Sequence, residues 1–167
     1  MTFLDVLIPL FILIVAIIQA IRGRAGMGKP LFEMVAFILA VVLANRFKEG
    51  LSSLIKLDVY WTFLITFIIL LIILLYLAYL LFNITEWSLG NLDSFFSFLF
   101  GIAIGWVICF VVIKFLYLKY TEESEIGFLL SSSKMANEIY YFKTYNKIME
   151  LLYKAKLGPE VEEIPNP

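Results

Sequence analysis

Histidine is absent from these 167 residues and cysteine occurs once, as Cys109. Those two shortages remove whole classes of chemistry. A lone cysteine forms no disulfide within the chain. Without histidine there is no Ser/His or Cys/His catalytic pair, no histidine-held haem and no zinc site that needs an imidazole. Cys109 itself lies in an apolar run with no basic neighbour to favour the thiolate, so it reads as an inert small residue. Charge is scarce too: Asp, Glu, Lys and Arg make up 16% of the chain, where soluble domains carry roughly 25%. The 13 basic and 14 acidic residues nearly cancel, which leaves no basic excess to suggest a nucleic-acid partner. The first stretch lacks the basic leader and small-residue cleavage pattern of a secretory signal and carries Asp5 instead, so it is expected to stay in the membrane.

What is abundant is apolar surface. Hydrophobic residues are 62% and aromatics 17% of the chain, with a mean hydropathy of +0.95. A water-soluble fold has no means of hiding that much, and the bilayer is its expected solvent. Four runs are long enough to cross. Phe3 to Ile21 is broken only by Asp5, Pro9 and Gln19, with a bend expected at Pro9. A basic, glycine-rich turn, Arg22-Gly23-Arg24-Ala25-Gly26-Met27-Gly28-Lys29-Pro30, leads to a second run that carries Glu33 early and ends near Asn45, with an amphipathic extension through Leu51 and Leu54. Val59 to Phe82 holds no charge at all and has Tyr60 and Trp61 as interfacial anchors. The fourth runs from Asp93 to about residue 118, with Lys114 placed to snorkel.

Ser97, Gly101, Gly105 and Cys109 recur at every fourth position of that fourth run. Positions four apart share one helix face, so these small residues form a shallow groove along which another helix backbone can approach closely. The spacing does not say whether that helix belongs to the same chain or to a second copy. Beyond residue 118 the character changes. Ser131-Ser132-Ser133 offers helix caps, and Met135, Ile139, Phe142, Tyr145, Met149 and Leu152 recur at helical spacing, which predicts one amphipathic helix of five or six turns. Residues 158–167 are acidic and proline-containing and are expected to be disordered.

The expected architecture is therefore all-α: a four-span membrane domain over residues 1–118, an extramembrane amphipathic helical tail over 119–157 and a disordered acidic end. Four spans put both termini on one side, so the first and third loops share a face of the membrane. That places Arg22 and Arg24 near Glu86 and Asp93, and an ion-pair cluster between the two loops is expected to fix helix one against helix four. Asp93 has two readings, an N-cap at the membrane edge or an intramembrane carboxylate on an ion path. Asp5 likewise reads as a first-turn acid at an interface.

Asp5 at the start of the first span, the Arg22-Gly23 turn, and Asp93 followed by Gly101 and Gly105 give the chain a resemblance to the colicin V production protein (CvpA) family. Residues 3–115 carry the resemblance, with a looser echo in the serine-rich start of the tail helix. The chain departs from the family pattern at Ser94, Ser97 and Ile104, where relatives usually have a basic residue, a glycine and a basic residue, and residues 26–30 look like an insertion. The resemblance implies a small bacterial inner-membrane protein with its termini outside the cytoplasm. It also implies a link to production or export of a peptide bacteriocin and to envelope homeostasis.

No paired carboxylates, phosphate-binding loop or nucleophile with a base stands out, so the chain is not expected to be an enzyme or to carry a cofactor or metal. The expected partners are the lipid bilayer, a second copy through span four, and envelope or export proteins through the tail helix. The leading functional expectation is an accessory or interaction protein. The competing one is an oligomeric channel or transporter for ions or small solutes.

Overall fold

A computed structural model describes residues 2–85, 87–121 and 123–157. The expected disordered segment at residues 158–167 and the candidate Glu86 lie outside the described residues. Seven α-helices follow one another: α1 Leu4–Arg22, α2 Gly28–Ile55, α3 Val59–Thr85, α4 Asp93–Lys119, α5 Glu125–Ser132, α6 Lys134–Tyr141 and α7 Lys143–Leu157. Single 3-10 turns at Gly23–Ala25 and Gly90–Leu92 precede α2 and α4. No strand occurs among the described residues.

The first four helices are long and apolar enough to cross a membrane, and the chain is a multi-pass membrane protein. The second run and its extension form one continuous helix of 28 residues. At 1.5 Å per residue that is about 42 Å, longer than the roughly 30 Å hydrocarbon core, so the helix reaches past that core into the headgroup region. Lys56, in the left-handed region at φ 55°, stops it. The uncharged third run is the most outward-facing span, with Ile69, Ile72 and Tyr76 among its exposed side chains. In a bilayer those side chains meet lipid tails at no cost.

Helix α4 is the hub. One face, carrying Ser97, Gly101, Gly105 and Cys109, meets α1; another, carrying Val107 and Val111, meets Ala40, Val41 and Ala44 of α2 and Phe63 and Phe67 of α3. α2 and α3 pair closely with each other, as α1 and α4 do, whereas α1 makes no comparable contact with α2 or α3. The bundle is two helix pairs joined through α4.

The tail differs from the single amphipathic helix expected of it. Two helices, α6 and α7, replace it and divide the apolar stripe between them, and a further helix, α5, precedes them. Ser124 caps α5, its hydroxyl accepting from the Gly127 amide at 3.0 Å, and Ser133 caps α6 by accepting from Ala136 at 3.1 Å. Phe142, at φ 50°, turns the chain between α6 and α7. Leu130, Ala136 and Ile139 are buried in one cluster with Ile8 and Ile12 of α1 and Cys109 and Ile113 of α4, so α5 and α6 are part of the packed bundle. Tyr145, Met149 and Leu152 of α7 are left exposed.

Candidate functional site

At one end of the bundle, the first and third loops meet. The Gly28 amide donates to the Trp87 carbonyl at 3.0 Å and the Ser94 hydroxyl to the Ala20 carbonyl at 2.8 Å. Asp93 sits at their junction, buried to 3% exposure. It is the first residue of α4, and its carboxylate turns back onto the preceding connector, accepting from the Leu89 amide at 2.6 Å and from the Ser88 hydroxyl. The Met27 amide of the first loop also faces it. Asp93 is therefore neither a forward N-cap of α4 nor, among the described residues, part of a salt bridge. It is an acceptor around which the two loops close.

Of the ion-pair cluster expected of Arg22, Arg24, Glu86 and Asp93, Glu86 lies outside the described residues, and among the described residues Arg22 pairs with Glu33 and not with Asp93. Arg22 forms a bidentate salt bridge with Glu33 of α2, Nη2 to Oε1 at 2.6 Å and Nη1 to Oε2 at 2.9 Å. Gln19, buried one turn earlier, donates to Glu33 at 2.9 Å and accepts from Arg22 at 3.3 Å. Arg24 is exposed and joins no salt bridge among the described residues. The physical reason is that the Asp93 carboxylate is already occupied by hydroxyl and amide donors. Glu33, in the second turn of α2, faces the end of α1, where Gln19 and Arg22 supply its donors.

The small-residue ridge is covered by α1 of the same chain. A methyl on Gly101 would stand 2.6 Å from the Ala16 Cα, and one on Gly105 3.0 Å from the Ile12 Cα. At the top of the ridge Gly23 lies against Ser97, leaving no room for a side chain at position 23. Arg22-Gly23 thus combines a salt-bridge partner with a crossing point. The Ser97 hydroxyl is buried there with no hydrogen-bond partner among the described residues.

At the opposite end, Asp5 binds the tail. Its Oδ1 accepts from the Ser133 hydroxyl at 2.8 Å and the Met135 amide at 3.0 Å, and its Oδ2 from the Thr2 amide at 2.8 Å. The same end holds Lys114, which does not snorkel outward as expected. It is 9% exposed, donates to Asn45 of α2 at 2.6 Å and lies over the rings of Phe63 and Phe110 at 5.6 and 5.2 Å. Amide and aromatic faces take the place of water around its ammonium.

Among the described residues no group of three His, Cys, Asp or Glu side chains is placed to hold a metal ion. Cavities lie between the spans. An apolar one of about 240 Å³ lies between α1, α4 and α5, with Leu7, Cys109 and Leu129 in its wall. A second, of about 380 Å³, lies between α1 and the other three spans and reaches up to Gln19, Arg22 and Glu33. Sequence reasoning missed Glu33 as the partner of Arg22 and Ser133 as the partner of Asp5. Their signals, an acid early in span two and serines before a helix, were visible, but nothing in the spacing joined them.

Compared with protein families, residues 4–141 match the family described as colicin V production protein. The match extends past the four spans and takes in α5 and α6. No curated protein and no solved structure matches the chain.

Proposed function

This chain belongs to the colicin V production protein family, and from that premise we propose that it is an inner-membrane accessory protein in the production or export of a peptide bacteriocin and in envelope homeostasis. The family match over residues 4–141 is the observation that carries the reading. On this reading both termini lie outside the cytoplasm, and the chain works by contact with other envelope proteins, without catalysis. The surface for that contact is α7, whose Tyr145, Ile148, Met149 and Leu152 are exposed on a helix otherwise rich in Lys. An amphipathic helix of that kind binds either a membrane surface or an apolar groove on a partner.

The test is bacteriocin secretion by a producing strain that lacks its own family member. The full chain is expected to restore secretion, and a chain carrying Ile148→Glu with Leu152→Glu is expected to insert normally yet fail to restore it. Full restoration by the doubly substituted chain would remove α7 from the proposal. Ion flux in liposomes containing the purified protein separates this reading from a channel: flux that is abolished by Asp93→Asn would replace the accessory role with transport.

A further inference from the structure

The cavity beneath the Arg22–Glu33 salt bridge has the layout of an amphiphile. Its walls are Val15 and Ile18 of α1, Phe37 of α2 and Leu75 of α3, and its floor is Ile104 and Ile108 of α4. It exists because α1 packs on α4 and stays apart from α2 and α3 for most of its length. Its polar groups gather at one end, where Gln19, Arg22 and Glu33 sit at the edge of the span. The cleft opens sideways, into what is hydrocarbon in a bilayer. A void there would forfeit the dispersion contacts of every wall atom.

Size decides between two occupants. A helix about 10 Å across needs about 420 Å³ for each 5.4 Å turn, whereas the whole cleft holds about 380 Å³. The cleft is too small to enclose a partner helix, and its apolar walls suit part of an acyl chain lying along them. Charge decides the head. The bidentate bond to Glu33 engages the two Nη groups of Arg22, yet the side chain remains 41% exposed at the mouth of the cleft. Arg24 in the adjoining turn is exposed and, among the described residues, forms no salt bridge. The Arg24 fork beside the cleft suits a phosphodiester, which arginine recognises with paired N–H donors, while Arg22, whose Nη groups are held by Glu33, adds only its remaining exposed edge.

We propose that this cleft is a binding site for one phospholipid, with an acyl chain between α1 and α3 on the floor of α4 and the phosphate at Arg22 and Arg24. The bound lipid completes the interface that α1 does not make with α2 and α3, and it couples the first loop to the bilayer.

The experiment is native mass spectrometry of the full chain in mild detergent with added dioleoyl phosphatidylglycerol, dioleoylglycerol or inorganic phosphate, at an activation that strips loosely held lipid. One phosphatidylglycerol is expected to remain on the wild type, with dioleoylglycerol held at least tenfold less and phosphate alone not at all. Val15→Phe and Leu75→Phe, which fill the cleft from opposite walls, are each expected to cut retention at least tenfold. Ile69→Phe, on the outward face of α3, is expected to leave it unchanged. Circular dichroism on each variant keeps loss of fold distinct from loss of lipid. Retention that is absent in folded wild type, or equal in the cleft-filling and outward variants, overturns the site. Arg22→Gln with Arg24→Gln is expected to erase the preference over dioleoylglycerol, and an unaltered preference overturns the placement of the phosphate.

Discussion

Asp5 and Ser133 are 128 positions apart in sequence and joined by a hydrogen bond of 2.8 Å. Because the same carboxylate oxygen accepts from the Met135 amide, Asp5 acts as an external cap for α6, completing what Ser133 begins with Ala136. The first turn of the first span is thus the anchor of the tail.

Removing that anchor has a defined expectation. Hydrogen bonds to a charged group contribute about 1.5–3 kcal/mol each, so Asp5→Ala should destabilise the docking of α5 and α6 by about that amount or more. Ser133→Ala loses its bond to Asp5 and its cap on the Ala136 amide but keeps the Met135 amide on the Asp5 carboxylate, so it should cost less. Hydrogen–deuterium exchange in detergent or nanodiscs is the measurement: faster exchange over residues 125–141 with unchanged protection in α2 and α3 is expected. The two substitutions share one oxygen, so their effects should be less than additive. Full additivity would show that the contact does not couple them.

The spine of α4 makes the second prediction. Because a methyl at position 101 would stand only 2.6 Å from the Ala16 Cα, even Gly101→Ala should force α1 away from α4, and Gly101→Leu should abolish their pairing. Gly50 is the control, since nothing lies within 4 Å of a methyl there. Gly50→Ala should be neutral or stabilise by up to about 1 kcal/mol through helix propensity alone. A cysteine cross-link between α1 and α4 reports the difference, and equal cross-linking in Gly101→Leu and the parent would sink the claim.

How far such features were legible depends on whether their cause is local. The spans were, because an uncharged run such as Val59 to Phe82 has one stable solution in a bilayer, and α3 occupies Val59–Thr85. The ridge at Ser97, Gly101, Gly105 and Cys109 was legible as a face, since its periodicity lies within one helix, but its occupant α1 was not. The breaks in the tail divide in the same way. Ser133 announces a cap by its side chain, whereas Phe142 adopts the left-handed region without being glycine or asparagine, and its neighbours there, Trp106 and Phe110, are distant in sequence. The partners of Asp93 among the described residues, Ser88 and Leu89, were not legible. Donors four and five residues upstream fold back onto it, and helix periodicity contains no information about the connector.

The Arg22–Glu33 pair gives a third prediction. Its arginine is 41% and its glutamate 12% exposed, so water screens it in part and the loss on Arg22→Gln should be about 1 kcal/mol, below the roughly 3–5 kcal/mol of a fully buried pair. Glu33→Gln should cost more, because the carboxylate is the acceptor for Gln19 as well as Arg22. The exchange Arg22→Glu with Glu33→Arg should recover most of the stability lost by either charge reversal alone. Thermal unfolding of all the variants in one detergent supplies the comparison. No recovery in the exchanged protein would mean that the pair is held by its surroundings and not by mutual attraction.

Ser97 provides the last prediction, and its sign is opposite to the others. The residue is fully buried where Gly23 crosses α4, and its hydroxyl finds no hydrogen-bond partner among the described residues. Burying an unsatisfied hydroxyl costs about 1–3 kcal/mol, and serine is a poorer helix former than alanine. Ser97→Ala removes the oxygen and keeps the Cβ, so it relieves both terms and shortens no packing distance. Stability should rise by about 1 kcal/mol, visible as a higher unfolding temperature in detergent. Ser97→Gly relieves the same hydroxyl and eases the contact with Gly23, but it adds a glycine cost of about 1 kcal/mol within the helix, so it should fall below Ser97→Ala. A lower stability for Ser97→Ala would mean that the hydroxyl has a partner in the membrane, and that the crossing of Gly23 over α4 is held by a polar contact as well as by small size.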